Sequence, residues 1–222
     1  MLRLWGMAMR PYPSVPVRST ERKNNIPVVF ISSTVEDLRP YRAAARDAAI
    51  SSGFLPVMCE HWSAKERHPF AECLAKVAKA HVLVVIVAYR YGWVPEPPDQ
   101  PANQFKSMTW LECEQARRSG IDVLAFLVDE GAQWPDHLRE EHRVMVAYRS
   151  GNATDQLLKE IRRDEDSLAQ FKEWLRKGRI RATFKNKDEF EGKLGRALDD
   201  FDPLAEEDIR SFLKRWYDAL CH

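Results

Sequence analysis

The run Val82-Leu83-Val84-Val85-Ile86-Val87-Ala88 contains no polar alternation. A strand with one wet face alternates polar and apolar residues. A run without alternation belongs to a strand covered on both faces, as in the middle of a parallel sheet. The pattern around it agrees. Strands are expected at Pro27–Ile31, Phe54–Met58, Val82–Ala88 and Val123–Val128. Helices are expected between them at Glu36–Ser52, Phe70–Ala80 and Thr109–Ser119, with Gly53 and Gly120 as stops. Such β-α repeats predict a parallel sheet in the order 2-1-3-4-5 with strand three inside.

Farther on, Trp134–Tyr148 and Thr154–Lys177 read as charged helices, Ile180–Phe184 as a fifth strand, and Asp188–Leu198 as a final helix capped by Asn186 or Asp188. Residues 1–25 hold Pro11, Pro13 and Pro16 without periodicity and read as a flexible leader. The α/β domain takes residues 26–200. Residues 201–222 form an amphipathic linker helix on which Ile209, Phe212, Leu213, Trp216, Tyr217 and Leu220 share a face. That face calls for a cover: the domain itself, a second protomer or a downstream domain.

Bulk properties exclude some functions. The formal charge is +1, with no basic cluster of the kind that binds nucleic acid. No apolar run approaches the length of a membrane span, and Met1–Met9 lacks a signal-peptide core. Cys59, Cys73, Cys113 and Cys221 are scattered singly. They read as reduced thiols in a cytoplasmic protein.

The candidate site follows from Val28-Val29-Phe30-Ile31-Ser32-Ser33-Thr34-Val35-Glu36-Asp37-Leu38. Here an apolar strand ends in hydroxyl residues and a helix begins. In a doubly wound sheet this turn lies at the strand carboxyl ends, where ligands bind. Ser32, Ser33 and Thr34 offer donors to a phosphate or ribose, beside a helix N-terminus. Ser33 or Thr34 also suits the plain role of helix cap. Tyr89-Arg90-Tyr91-Gly92-Trp93 leaves strand three at the same edge. Tyr91 and Trp93 could stack on a base or pack the rim; Arg90 could meet a pyrophosphate or pair with Glu36 or Asp37. Cys59, His61 and His68 near Glu60 and Glu66 have no spacing that enforces a metal site, so none is expected. There is no phosphate-binding glycine loop, which excludes an ATPase within this chain, and Cys113 reads as a buried helix residue.

Five motifs in order carry a resemblance: Phe30-Ile-Ser-Ser-Thr-Val-Glu-Asp-Leu, Gly53-Phe-Leu-Pro-Val-Met-Cys-Glu, Cys73-Leu, Tyr89-Arg-Tyr-Gly and Ser107-Met-Thr-Trp-Leu-Glu-Cys-Glu-Gln-Ala. From about Val28 to Leu198 the chain resembles a TIR-like domain known only as a domain of unknown function. That domain stands at the N-terminus of many STAND-type (NACHT or NB-ARC) ATPases. The resemblance implies a flavodoxin/TIR-like α/β fold with helical C-terminal additions. TIR domains mediate assembly, and many cleave NAD with a glutamate on the third helix. Thr109-x-x-Glu112-x-x-x-Ala116 places Glu112 at that position. Trp110-x-x-x-Glu114 is the alternative register, in which Glu114 is catalytic and Trp110 flanks the ligand.

The resemblance therefore implies an effector or signalling domain of an immune-type, anti-phage NTPase system. It would cleave NAD or a related nucleotide on assembly, with NAD as substrate and no cofactor. Its partners would be further copies of itself or a downstream STAND-type ATPase. Two other classes stay open: a non-catalytic interaction domain, and an enzyme transferring a nucleoside or nucleotide sugar. The bland reading of Glu112 and Glu114 is a solvated helix face, with Glu114 paired to Arg117 or Arg118.

Overall fold

The structure, a computed structural model, describes residues 26–59, 69–96, 104–178 and 180–201. The leader and the amphipathic stripe from Ile209 to Leu220 lie outside them. Five strands, β1 (Val28–Ser33), β2 (Leu55–Val57), β3 (Val82–Val87), β4 (Asp122–Val128) and β5 (Ile180–Phe184), form one sheet. Its order is β2-β1-β3-β4-β5 and every pairing is parallel. Among the described residues six α-helices flank it: α1 (Arg39–Ser51), α2 (Pro69–Val77), α3 (Met108–Arg118), α4 (His142–Arg149), α5 (Asp155–Arg176) and α6 (Lys187–Asp199). This is the α/β class and strand order expected from the alternation of elements. Among the described residues no helix is long and apolar enough to cross a membrane.

β3 is buried along its whole length. Its side chains divide by the period of two. Val82, Val84 and Ile86 enter the core under α1 and α6, while Leu83, Val85 and Val87 enter the core under α2, α3 and α5. Each core is sealed by aromatics. Tyr41, Trp134, Phe184 and Phe190 meet on the first face, with Tyr41 and Phe184 at 5.2 Å between centroids. On the second, Trp110 stacks on Phe171 at 5.1 Å.

Several boundaries differ from expectation. α1 starts at Arg39, not Glu36, and its N-cap Leu38 makes no side-chain cap, so neither Ser33 nor Thr34 serves as one. Pro40 explains the start: proline lacks an N–H and fits only a first helical turn. The expected helix Trp134–Tyr148 is a 3-10 turn, Asp136–Leu138, followed by α4. Asn186 caps α6 by accepting from Glu189 N at 2.9 Å. The reading of all thiols as reduced is corrected as well. Cys59 and Cys73 form a disulfide of 2.06 Å, with Cα atoms 6.3 Å apart. β2 ends beside the first turns of α2, so the fold brings together two cysteines that are 14 residues apart.

The turn after β3 is tight. Gly92 has φ +85, and a Cβ there would lie 2.8 Å from Thr34 Cγ2. Gly92→Ala should therefore cost about 1–3 kcal/mol, from the left-handed backbone and the clash. Thr34→Ser removes that methyl, so the double variant should regain the steric part in a denaturant titration. If the two losses simply add, Thr34 is not what crowds residue 92.

Candidate functional site

The alternation of β1 decides which side chain meets which helix. Val29 and Ile31 face α1, so Phe30 and Ser32 face α2 and α3, and Ser33 turns back toward α1. Ser33 Oγ then accepts from Arg42 Nη1 of α1 at 2.9 Å, and Arg42 Nη2 reaches the Cys59 carbonyl at 3.5 Å. Arg42 is only 4% exposed. Ser32, also buried, donates to Glu112 Oε2 across the second layer.

α3 begins where Ser107 accepts from Trp110 N at 3.4 Å. Thr109, Glu112 and Ala116 follow at helical spacing and are all buried. Glu112 is 5% exposed and sits against the carboxyl end of β1. Its other oxygen, Oε1, lies 3.0 Å from Cys73 Sγ. Burial raises the Glu112 pKa to about 7, against the downward pull of the Ser32 hydrogen bond and the Arg42 charge. A disulfide sulfur carries no hydrogen, so any proton on the Oε1–Sγ contact belongs to the carboxyl. Glu112 is therefore poised to exchange a proton near neutrality.

Glu114 has a different setting. It pairs with Lys106 at 2.5 Å and with Arg118 at 3.2 Å, one turn on. Of the two registers, only Glu112 meets the Ser32 turn. Trp110 stacks on Phe171 and is 9% exposed, with its Nε1 unpartnered. Tyr91 is buried, and its hydroxyl donates to the Phe105 carbonyl at 2.8 Å and accepts from Ser107 N at 3.1 Å. It fastens the loop before α3 to the end of β3. Trp93 is half exposed, and its backbone carbonyl accepts from Met108 N. Arg90 pairs with Glu36 at 3.0 Å and donates to the His137 carbonyl at 3.2 Å.

A second polar group surrounds Arg90. Asp37 is 1% exposed, and neither carboxylate oxygen has a hydrogen-bond partner; Thr34 Oγ1 and Arg90 Nε are likewise unpartnered. Burial raises the Asp37 pKa, while Thr34 and Arg90 pull it down. The gap framed by Thr34, Ile86, Val87, Arg90, Tyr91, Thr109 and Phe171 has no room for a water molecule. A space large enough for a ligand lies beside it: a cavity of about 340 Å³ lined by Arg90, His142, Arg143, Val146, Ala147, Ser150, Asn152 and Leu157. Glu112 does not line it.

Cys59, Cys73 and Glu112 also bring their ligand-type atoms within 4.8 Å of one another. With the two sulfurs bonded to each other, the trio offers no thiolate to a metal. His61 and His68 lie outside the described residues. Sequence reasoning missed Arg42 and the disulfide as neighbours of Glu112. Arg42 did leave a signal: it interrupts the stripe of Leu38, Ala45 and Ala49 on the buried side of α1.

Fold and site together define a class: a five-stranded parallel α/β domain with a protonatable glutamate buried at the strand carboxyl ends. The profile of the family described as "Domain of unknown function (DUF4062)" matches residues 28–199. The chain belongs to that family. No curated protein matches it.

The elevated Glu112 pKa has a consequence for stability. A carboxyl whose folded pKa lies above its unfolded one binds its proton more tightly when folded. Stability is then greatest below the unfolded value near 4.5 and falls as pH rises through about 7. Glu112 alone should lower the unfolding free energy by about 1 kcal/mol between about pH 6 and about pH 8. Glu112→Gln cannot ionise and keeps an acceptor for Ser32. Chemical denaturation of both proteins at the two pH values should show a smaller fall in the variant. Parallel curves would mean that Glu112 titrates outside this window.

Proposed function

We propose that this chain is a TIR-like effector or signalling domain that cleaves the nicotinamide–ribose bond of NAD, or of a related nucleotide, with Glu112 as the reacting carboxylate. The observation that carries this reading is Glu112 itself, buried at the strand carboxyl ends against Ser32 and poised near neutrality. Breaking a glycosidic bond builds positive charge on the ribose. A carboxylate in a dry site stabilises that charge and holds the ribose hydroxyls, as carboxylates do in glycoside hydrolysis. Ser32 orients the Glu112 carboxyl from below. Arg90 and the hydroxyl of Thr34, at the neighbouring strand end, suit the pyrophosphate.

Glu112 is covered in the single protomer, and the cavity of about 340 Å³ opens one strand away, at Arg90. The reading therefore includes a rearrangement that joins the two, supplied by assembly with further copies or with a downstream STAND-type ATPase. With such partners the domain would serve a cytoplasmic immune system of the anti-phage kind. The same covering of Glu112 supports a second reading, a non-catalytic interaction domain. Met145, Val146 and Tyr148, 47–63% exposed on α4, would then form the contact surface.

An NAD-consumption assay on the full chain, dilute and artificially clustered, separates the two. Clustering should start nicotinamide release, and Glu112→Gln should lower it by about 10²–10³-fold without altering light scattering. Clustered protein that leaves NAD untouched, under conditions where it demonstrably associates, favours the interaction domain. Loss of activity in Glu114→Gln but not in Glu112→Gln would move the chemistry to the other register.

A further inference from the structure

The Cys59–Cys73 disulfide touches the candidate reacting group. It ties the loop after β2 to α2, and Cys73 Sγ lies 3.0 Å from Glu112 Oε1. The two sulfurs are unequally placed. Cys73 is fully buried, whereas Cys59 is part exposed. A thiolate from solution therefore meets Cys59 first, and Cys73 is the leaving sulfur.

We propose that Cys59–Cys73 is a reversible thiol–disulfide modification site, opened by a dithiol reductant, whose state decides which hydrogen-bond partner Glu112 has. This rests on the reading of Glu112 as the reacting group only for its consequence in catalysis; the modification itself does not. One reductant thiolate attacks Cys59 Sγ. The Sγ–Sγ bond breaks, and its electron pair leaves on Cys73. Glu112 in its acid form gives its proton to that sulfur and becomes a carboxylate. The second reductant thiolate then attacks the mixed disulfide and releases Cys59, which takes a proton from solvent. The reductant departs as its own disulfide, having supplied two electrons.

The two states present Glu112 with opposite partners. In the disulfide, Oε1 faces a sulfur that cannot donate, which favours the protonated carboxyl. In the reduced form a buried Cys73 thiol keeps its proton and donates to Oε1, which favours the carboxylate. Among the described residues the other groups acting on Glu112 are Ser32 from β1, Arg42 from α1 and Cys113 on its own helix. They are common to both states, so the difference falls on the sulfur pair. Disulfides that form inside cells are mostly transient and redox-sensing, and this one lies against a titrating carboxyl.

The test uses the full chain and no nucleotide. Alkylation and peptide mapping report Cys59 and Cys73 with and without dithiothreitol. An infrared pH titration follows the Glu112 carboxyl band, assigned by its loss in Glu112→Gln. Both cysteines should reduce with the far-ultraviolet circular dichroism unchanged. The Glu112 midpoint should fall by about one unit, roughly a tenfold change in ionisation. Cys59→Ser, which leaves Cys73 a thiol, should titrate like reduced protein whatever the reductant; Cys59→Ala serves if that variant does not fold. Reduction only on unfolding, or a midpoint indifferent to reduction, would overturn the proposal. A shifting midpoint here, with NAD left untouched in the separate clustering assay, would sink the enzymatic reading and leave the redox site standing.

Discussion

The two-faced burial of β3 is the constraint on which the rest of the molecule depends. A strand with no wet side must have helices above and below it, and a parallel neighbour on each edge supplies the crossovers that bring those helices. Here β1 and β4 are those neighbours, and their own alternation is locked to the same two cores. The register leaves β1 no freedom: with Phe30 in one core, Ser32 must face α3 and Ser33 must face α1. A slip of one residue would exchange the two serines and point the hydroxyl partner of Glu112 at Arg42. The geometry of the site is therefore a by-product of core packing.

Around that core the protein holds an unusual amount of buried charge. Glu112, Asp37, Glu140, Asp164 and Arg42 are all at most 5% exposed. Some of it is well compensated. Arg143 binds Glu140, Asp164 and Glu160 together, and Arg163 adds to Asp164 at 2.7 Å. Such a network fixes α4 and α5 against the turn at Tyr91, whose N–H donates to Glu140 at 3.2 Å. Asp37 is the opposite case, a buried carboxyl with two unpartnered oxygens, and a cost of roughly 1–3 kcal/mol attends each unsatisfied polar group. Compensated charge holds the scaffold on the α4 side, while the buried Asp37 at the strand ends is offset only in part, by Thr34 and Arg90. Proteins keep that second kind of group chiefly where it binds or reacts.

How much was legible in the sequence depended on whether the signal was periodic. Val82–Ala88 announced its own position, and the β-α spacing carried the strand order with it. That Glu112 is buried and Glu114 ion-paired was also within reach, because Thr109, Glu112 and Ala116 share a helical face while Glu114 sits one turn from Arg118. The start of α1 was readable from Pro40 and was set too early by weighting the acidic residues at Glu36 and Asp37. The disulfide was of another kind. Its two cysteines are separated by a polar loop with no motif, and their approach depends on where β2 ends relative to α2. That is a tertiary fact without a local signature. The burial of Trp110 against Phe171 was hidden for the same reason: its partner lies on a helix whose docking no local pattern specifies.

A site assembled this way has a built-in tension. The elements that aim Glu112 also cover it: Ser32 from below, Cys73 from α2 and the rest of the second core around them. Opening Glu112 to a ligand by pulling α3 off the sheet would expose Cys113 and Ala116 and break the core, at a cost far above that of a loop motion. On that side the Cys59–Cys73 disulfide joins the end of β2 to α2, and Cys59 is itself part exposed. Arg42 reaches the Cys59 carbonyl as well, at 3.5 Å. The disulfide is thus a covalent tie in direct contact with Glu112 at the strand ends. Access to the buried carboxyl and the chemistry of that sulfur pair are, on this geometry, one physical problem.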